Sequence, residues 1–133
     1  MIITATLNNN SLENTITVST DDNEKILNIP SKSGGKGSSV NGGELLFLAL
    51  ATCFCNDVYR EAAHRKMDID AVACSVLGNF GKPGETGSDI SYRVTVTASK
   101  HSQQEIHDLI RYVDLIAEIH NTLRKGTSVS LIL

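Results

Sequence analysis

Apolar positions recur along this chain in two rhythms. In the first thirty residues they alternate with polar ones, so Met1–Leu7, Thr15–Thr20 and Lys25–Ile29 read as three short strands. The turn-rich NNNSLEN separates the first two, and Pro30 closes the third. From Glu44 to about Lys66 the rhythm lengthens: Leu, Ala and Glu dominate, no Gly or Pro interrupts, and a helix is predicted. Its first half is apolar on nearly every side and is expected to be buried all round. In its second half Val58, Tyr59, Ala62 and Ala63 are expected to face inward, with Arg60, Glu61, Arg65 and Lys66 in solvent. Alternation returns at Ile69–Phe80 and Ile90–Ala98, joined by the hairpin-loop signal GKPGETG. SQQEIHDLIRYVDLIAEIHNTL then predicts a second helix, with Ser102 and Glu105 in capping-box spacing and a stripe of Ile106, Leu109, Ile110, Val113 and Ile116. Gly126 ends it, and Ser128–Leu133 reads as a last strand. The order βββ-α-ββ-α-β predicts an α+β fold, an antiparallel or mixed sheet wrapped on a long central helix.

Composition narrows the function. At 133 residues the chain is expected to be a single domain, residues 1–133. A net charge of −3, 5% aromatic residues and no Trp argue against nucleic acid as a partner. The longest nearly unbroken apolar run, Leu45 to Cys55, falls short of the roughly 20 residues of a membrane helix, so no membrane association is expected. MIITATLNNN lacks the basic and apolar blocks of a secretory signal, and three cysteines make no disulfide framework. A cytoplasmic location follows as the expectation.

The candidate chemistry lies in the cysteines. Cys53 and Cys55 are two residues apart, hence about 200° apart around a helix, and cannot face one site. His64 is too far along to complete a zinc site with Cys53, so no metal and no cofactor are expected. Cys55 and Cys74 read as small buried hydrophobes. His64, His101 and His107 fall on polar faces, His120 reads as a polar surface residue, and Asn121 and Arg124 read as helix C-capping groups. Cys53 stands apart because its helix opens directly after SKSGGKGSSVNGG, Ser31 to Gly43, a Gly/Ser-rich loop of the right length to cover a site.

This Gly-rich loop followed by E-L-L-x-x-A-L-A-x-C resembles the OsmC/Ohr family of thiol peroxidases, in its OsmC-like branch, and the resemblance spans nearly the whole chain. AEIHNTLRKGTSVSL, Ala117 to Leu131, stands where that family has C-P-x-S-N-x-x-R-G and its last strand, with Asn121 and Arg124 at the Asn and Arg positions. The resemblance implies an intertwined homodimer with active sites at the subunit interface. It also implies a first-helix cysteine, here Cys53, that attacks a hydroperoxide and becomes a sulfenic acid. In the family a second cysteine then condenses with it, dithiols regenerate the enzyme, and an N-terminal Arg held by a Glu lowers the thiol pKa.

Three positions depart from that pattern. Ala117 occupies the resolving-cysteine position and Glu118 that of the following Pro; no Arg precedes Arg60; and Gly43 stands ten residues before Cys53, where the peroxidases carry their Glu. Glu44, nine residues before it, matches the OsmC-like branch, and Lys25, Lys32 and Lys36 are the only cations of the leading region. The expected function is therefore one-cysteine, thiol-dependent reduction of organic hydroperoxides at Cys53, with Lys36 and Glu44 assisting and an external thiol as reductant. The alternatives are a non-catalytic dimer binding a small hydrophobic ligand, or a redox sensor oxidised without turnover.

Overall fold

Threonine, valine and isoleucine suit a pleated backbone, and the alternation they make in the first thirty residues becomes an antiparallel meander. In the computed structural model, which describes residues 1–133, β1 (Ile3–Asn9), β2 (Asn14–Thr20) and β3 (Asn23–Leu27) pair in that spatial order. Ile3 lies opposite Thr20 and Asn9 opposite Asn14, while Ile16 faces Leu27 on the other side. The first turn is closed by Asn10, whose Oδ1 accepts from the amides of Leu12 and Glu13 at 2.8 and 3.0 Å. The Gly/Ser-rich loop is tied down at two points. Ser31 and Ser38 form an antiparallel bridge, and the Gly37 amide donates to Asn9 Oδ1 at 2.8 Å.

The chain divides into two compact units, Met1–Leu45 and Leu46–Leu133. The helix α1 (Gly42–His64) opens at the end of the first, and its body belongs to the second. There it is followed by β4 (Ala71–Asn79), β5 (Ser88–Thr97), α2 (Gln103–Ile116) and α3 (Glu118–Lys125). β4 and β5 form an antiparallel hairpin running from Ala71 opposite Thr97 to Asn79 opposite Ser88, with a register shift between Leu77 and Asn79. Gly78 occupies that shift for lack of space: a Cβ there would lie 2.8 Å from the Phe47 ring and 3.2 Å from the Ser88 carbonyl oxygen. The core joins Phe54, Val58 and Ala62 of α1 to Val96 and Ala98, and to Ile106, Leu109, Val113 and Ala117. Phe54, Val58, Leu109 and Val113 are fully buried. The capping box at Ser102 forms as predicted, with its Oγ accepting from the Glu105 amide and its own amide donating to the Glu105 carboxylate.

Four expectations need correction. The first half of α1 is not buried all round: Leu50 and Phe54 are buried but Leu48 is exposed, because the core lies along one side of the helix. In its second half Val58 and Ala62 do face inward, but Tyr59 and Ala63 are exposed, while Glu61 is buried. The predicted second helix is two. Ala117, with ψ 109°, leaves the helical region, and the carbonyls this frees at the end of α2 are taken up by side chains of α3. Asn121 Nδ2 donates to the Leu115 oxygen at 2.9 Å and the Arg124 guanidinium to the Asp114 oxygen at 2.9 Å. These two residues therefore cap α2, whereas α3 ends on its own left-handed Gly126. Ser128–Leu133 forms no strand: it pairs with no other segment, and Val129, Leu131, Ile132 and Leu133 are exposed.

Candidate functional site

Three turns into α1, one helical face carries Cys53, Asp57 and, a residue short of a further turn, Arg60. The Cys53 Sγ–H donates to Asp57 Oδ2 at 3.5 Å and lies 3.9 Å from Glu118 Oε2, on the first residue of α3. Arg60 holds the two carboxylates together, with its guanidinium 2.7 Å from Asp57 Oδ1, 2.9 Å from Glu61 Oε1 and 3.8 Å from Glu118 Oε1. Asp57 is only 3% exposed, so this cation is what makes its burial tolerable.

The thiol is held protonated. Burial is the main cause, and the Asp57 and Glu118 carboxylates push the Cys53 pKa further up; the Ile119 backbone amide, at the start of α3, opposes them. The Asp57 pKa is also raised, by burial first and by Glu118 next, against the pull of Arg60. Glu61 is lowered, chiefly by its hydrogen bond from Arg60. A half-buried thiol therefore faces a carboxylate of raised basicity, with a cation behind it. Cys53, Asp57 and Glu118 each offer one ligand atom, all within 4.8 Å of one another, so a cation would find donors there. It would first have to displace Arg60 from Asp57.

The expected helpers of Cys53 lie in the first unit. The Glu44 carboxylate accepts from the Asn41 amide at 2.7 Å, while Asn41 Oδ1 accepts from the Glu44 amide at 2.9 Å, a reciprocal cap of α1. Lys36 sits in the loop between Gly35 and Gly37 and makes no ion pair. Cys74 does not approach Cys53. It lines a cavity with Cys55, Ala51, Thr52 and Asn56, so the two cysteines expected to be buried hydrophobes are half-buried neighbours. Burial raises the Cys74 pKa, with Cys55 adding to it.

A family model described as OsmC-like protein matches residues 35–132. The chain belongs to the OsmC-like protein family. Solved structures share its fold. An OsmC-like protein from Mycoplasma pneumoniae superposes with a TM-score of 0.64 at 23% identity, covering 94% of this chain and 87% of that one. The organic hydroperoxide resistance protein OsmC of Legionella pneumophila gives 0.59 at 17%, covering 98% and 95%. The organic hydroperoxide resistance protein OhrB of Bacillus subtilis gives 0.57 at 16%, covering 98% and 96%. None of the curated proteins matches the chain closely enough to count as a relative.

This OsmC-like chain carries a polar group that its sequence pattern concealed. His120, expected on the surface, is 4% exposed and neither ring nitrogen has a hydrogen-bond partner. Its ring packs against Phe54 and Tyr92, with centroids 5.6 and 4.6 Å apart. An unsatisfied buried polar group costs about 1–3 kcal/mol. Burial, then the nearby Arg124, lower its pKa, so the ring is neutral at pH 7. Beside it the Tyr92 hydroxyl donates to Asp114, which also accepts from Arg124 at 2.5 Å. Burial and that carboxylate push the Tyr92 pKa up to about 12. Asp57, Arg60, Glu118 and His120 were all missed as site residues. The i, i+4 spacing of Cys53 and Asp57 was the one local signal available for them.

Proposed function

We propose that this OsmC-like protein reduces organic hydroperoxides with Cys53 as its one catalytic thiol. The observation that carries the reading is the Cys53 Sγ–H donated to Asp57 Oδ2 at 3.5 Å, which gives the thiol proton an acceptor where no arginine approaches the sulfur. As the sulfur attacks the terminal oxygen of the hydroperoxide, its proton passes to Asp57 and the O–O bond breaks. The alkoxide leaves with a proton as alcohol, and Cys53 becomes a sulfenic acid. The Ile119 amide, directed at the sulfur, favours the anion that develops in this step. An external thiol then condenses with the sulfenic acid, releasing water, and a second one displaces Cys53 as a thiol and leaves as the disulfide. Two thiols are oxidised for each hydroperoxide reduced. Ala117 supplies no thiol to this cycle. Glu44 is spent on capping α1, and Asp57 takes the assisting role expected of Glu44 and Lys36. The names of the hydroperoxide resistance proteins that share the fold support the choice of substrate.

The working form in this reading is a cytoplasmic homodimer, in which a second copy covers the exposed apolar residues Val129, Leu131, Ile132 and Leu133. The test is consumption of cumene hydroperoxide with excess dithiothreitol by the wild type, Cys53→Ser and Asp57→Asn. Many turnovers are expected of the wild type, none of Cys53→Ser, and a rate at least tenfold lower for Asp57→Asn. Equal rates in wild type and Cys53→Ser would end the enzymatic reading, and one equivalent consumed per Cys53 would mark a sensor.

A further inference from the structure

A second cavity, of about 130 Å³, opens among Leu50, Ile90, Tyr92, His120, Leu123 and Arg124, and Cys53 is not among the residues that line it. Three of its walls are aliphatic and a fourth is the Tyr92 ring. His120 is its unmatched polar group: almost wholly buried, with neither ring nitrogen bonded and neither reached by solvent. Native proteins leave few buried polar groups unpaired, and those they do leave commonly serve a ligand. The cavity's other polar side chains are already engaged. The Tyr92 hydroxyl donates to Asp114, and the Arg124 guanidinium donates to the Asp114 carboxylate, the Asp114 carbonyl and Asn121 Oδ1. An anionic ligand would thus find no free cation, and a cationic one no free carboxylate.

We propose that this cavity binds a small neutral molecule with an apolar body about the size of a benzene ring and one hydroxyl group, which hydrogen-bonds to His120. The size follows from the volume, since an apolar protein cavity of about 150 Å³ accommodates benzene. The hydroxyl follows from the imidazole. In its neutral form the ring has one N–H donor and one acceptor nitrogen, and a hydroxyl, which both donates and accepts, can serve either. Leu50, Ile90 and Leu123 favour hydrocarbon over a more polar body. The site is independent of the proposed peroxide chemistry and stands if Cys53 proves inert.

Phenol and benzene are the probes that separate the polar contact from simple cavity filling. Each is titrated at pH 7 into the ¹⁵N-labelled full-length protein, and the His120 ring resonances, assigned with His120→Phe, are followed by long-range ¹H–¹⁵N correlation. Phenol is expected to shift both His120 nitrogens saturably, with benzene at least tenfold weaker. Leu123→Phe, at a half-exposed wall, is expected to abolish the shift while the amide spectrum stays native. His120→Phe is expected to erase the preference for phenol, as read from the amides of Leu50 and Leu123. An unmoved His120 at saturating phenol, equal affinity for the two probes, or full binding in a folded Leu123→Phe variant would each overturn the assignment.

Discussion

Replacing Arg60 with alanine isolates the electrostatics of the Cys53 site. The guanidinium is the cation that pairs with Asp57, and Asp57 is 3% exposed, so its removal leaves a carboxylate in the interior without a counter-charge. Breaking a buried pair in this way costs about 3–5 kcal/mol. The Arg60 side chain is itself 42% exposed, so water and salt already screen part of the interaction and the expected loss falls to about 1–3 kcal/mol. The pH dependence has a definite sign. The Asp57 pKa lies above its unfolded value, so the folded state takes up its proton more readily, and stability rises as pH falls through the folded pKa. Without Arg60, which opposes that shift, the folded pKa climbs further. The deficit of the variant is thus largest at pH 7 and shrinks steadily toward pH 4. Glu61 works in the same direction. Arg60 lowers its pKa, and the stability this gives the wild type is lost as pH falls.

Urea unfolding at fixed protein concentration would give the difference at pH 7, 5.5 and 4, with concentration held constant because association shifts the apparent stability. Arg60→Ala/Asp57→Asn is expected to recover most of the loss at pH 7, since the amide needs no counter-charge. A deficit below about 0.5 kcal/mol at pH 7, the size of an ordinary surface substitution, would refute the reasoning, as would one that does not change with pH.

Two further outcomes follow from the same site and its neighbour. Alkylation of Cys53 by iodoacetamide should still be accelerating past pH 9, the ordinary thiol value, and Asp57→Asn should move the profile to lower pH; a plateau already reached at neutral pH would contradict a thiol raised by burial and by that carboxylate. In an ultraviolet titration one of the three tyrosines should remain un-ionised at pH 11, and Tyr92→Phe should remove that late component; complete ionisation of all three by then would refute the Tyr92–Asp114 bond.

Much of this fold was legible because period and punctuation agree. The strict alternation of Ile90, Tyr92, Val94 and Val96 gave β5, and Ser102 with Glu105 gave the start of α2, since both are local instructions. The failures are all non-local. Nothing in AEIHN announces a break, because Ala117 leaves the helix only when Asn121 and Arg124 reach back for the carbonyls at the end of α2. Ser128–Leu133 has the residues of a strand, but a strand exists only against a partner edge. His120 looked polar and superficial because its burial comes from Phe54 and Tyr92, sixty-six and twenty-eight positions upstream. Cys53 was singled out correctly as the cysteine to watch, but its partners were sought among the cations of the loop. They are instead acids, one a turn further along its own helix and one on α3.

That acidic surround bears on the reductant. Asp57, Glu61 and Glu118 meet Arg60, three carboxylates to one guanidinium, so the approach to Cys53 is negatively charged. The Glu118 side chain is 66% exposed and marks where a thiol from solvent would approach. An oxidised Cys53 cannot be resolved at position 117, and Cys55 and Cys74 share a cavity of their own, so the second thiol in the proposed cycle comes from outside. A neutral dithiol should therefore reduce the sulfenic acid faster than glutathione, which carries a net negative charge and must approach against the carboxylates. With each carboxylate contributing around 1 kcal/mol at about 4 Å in a water-like medium, the discrimination should be severalfold at low salt. It should narrow as ionic strength rises toward 1 M, where the screening length falls to about 3 Å. Stopped-flow reduction of the oxidised protein by dithiothreitol and by glutathione, in wild type and Glu118→Gln, measures it directly. Glu118→Gln should speed the glutathione reaction and leave the dithiothreitol reaction nearly unchanged; a glutathione rate indifferent both to salt and to Glu118 would show that the reductant enters by a path these charges do not guard.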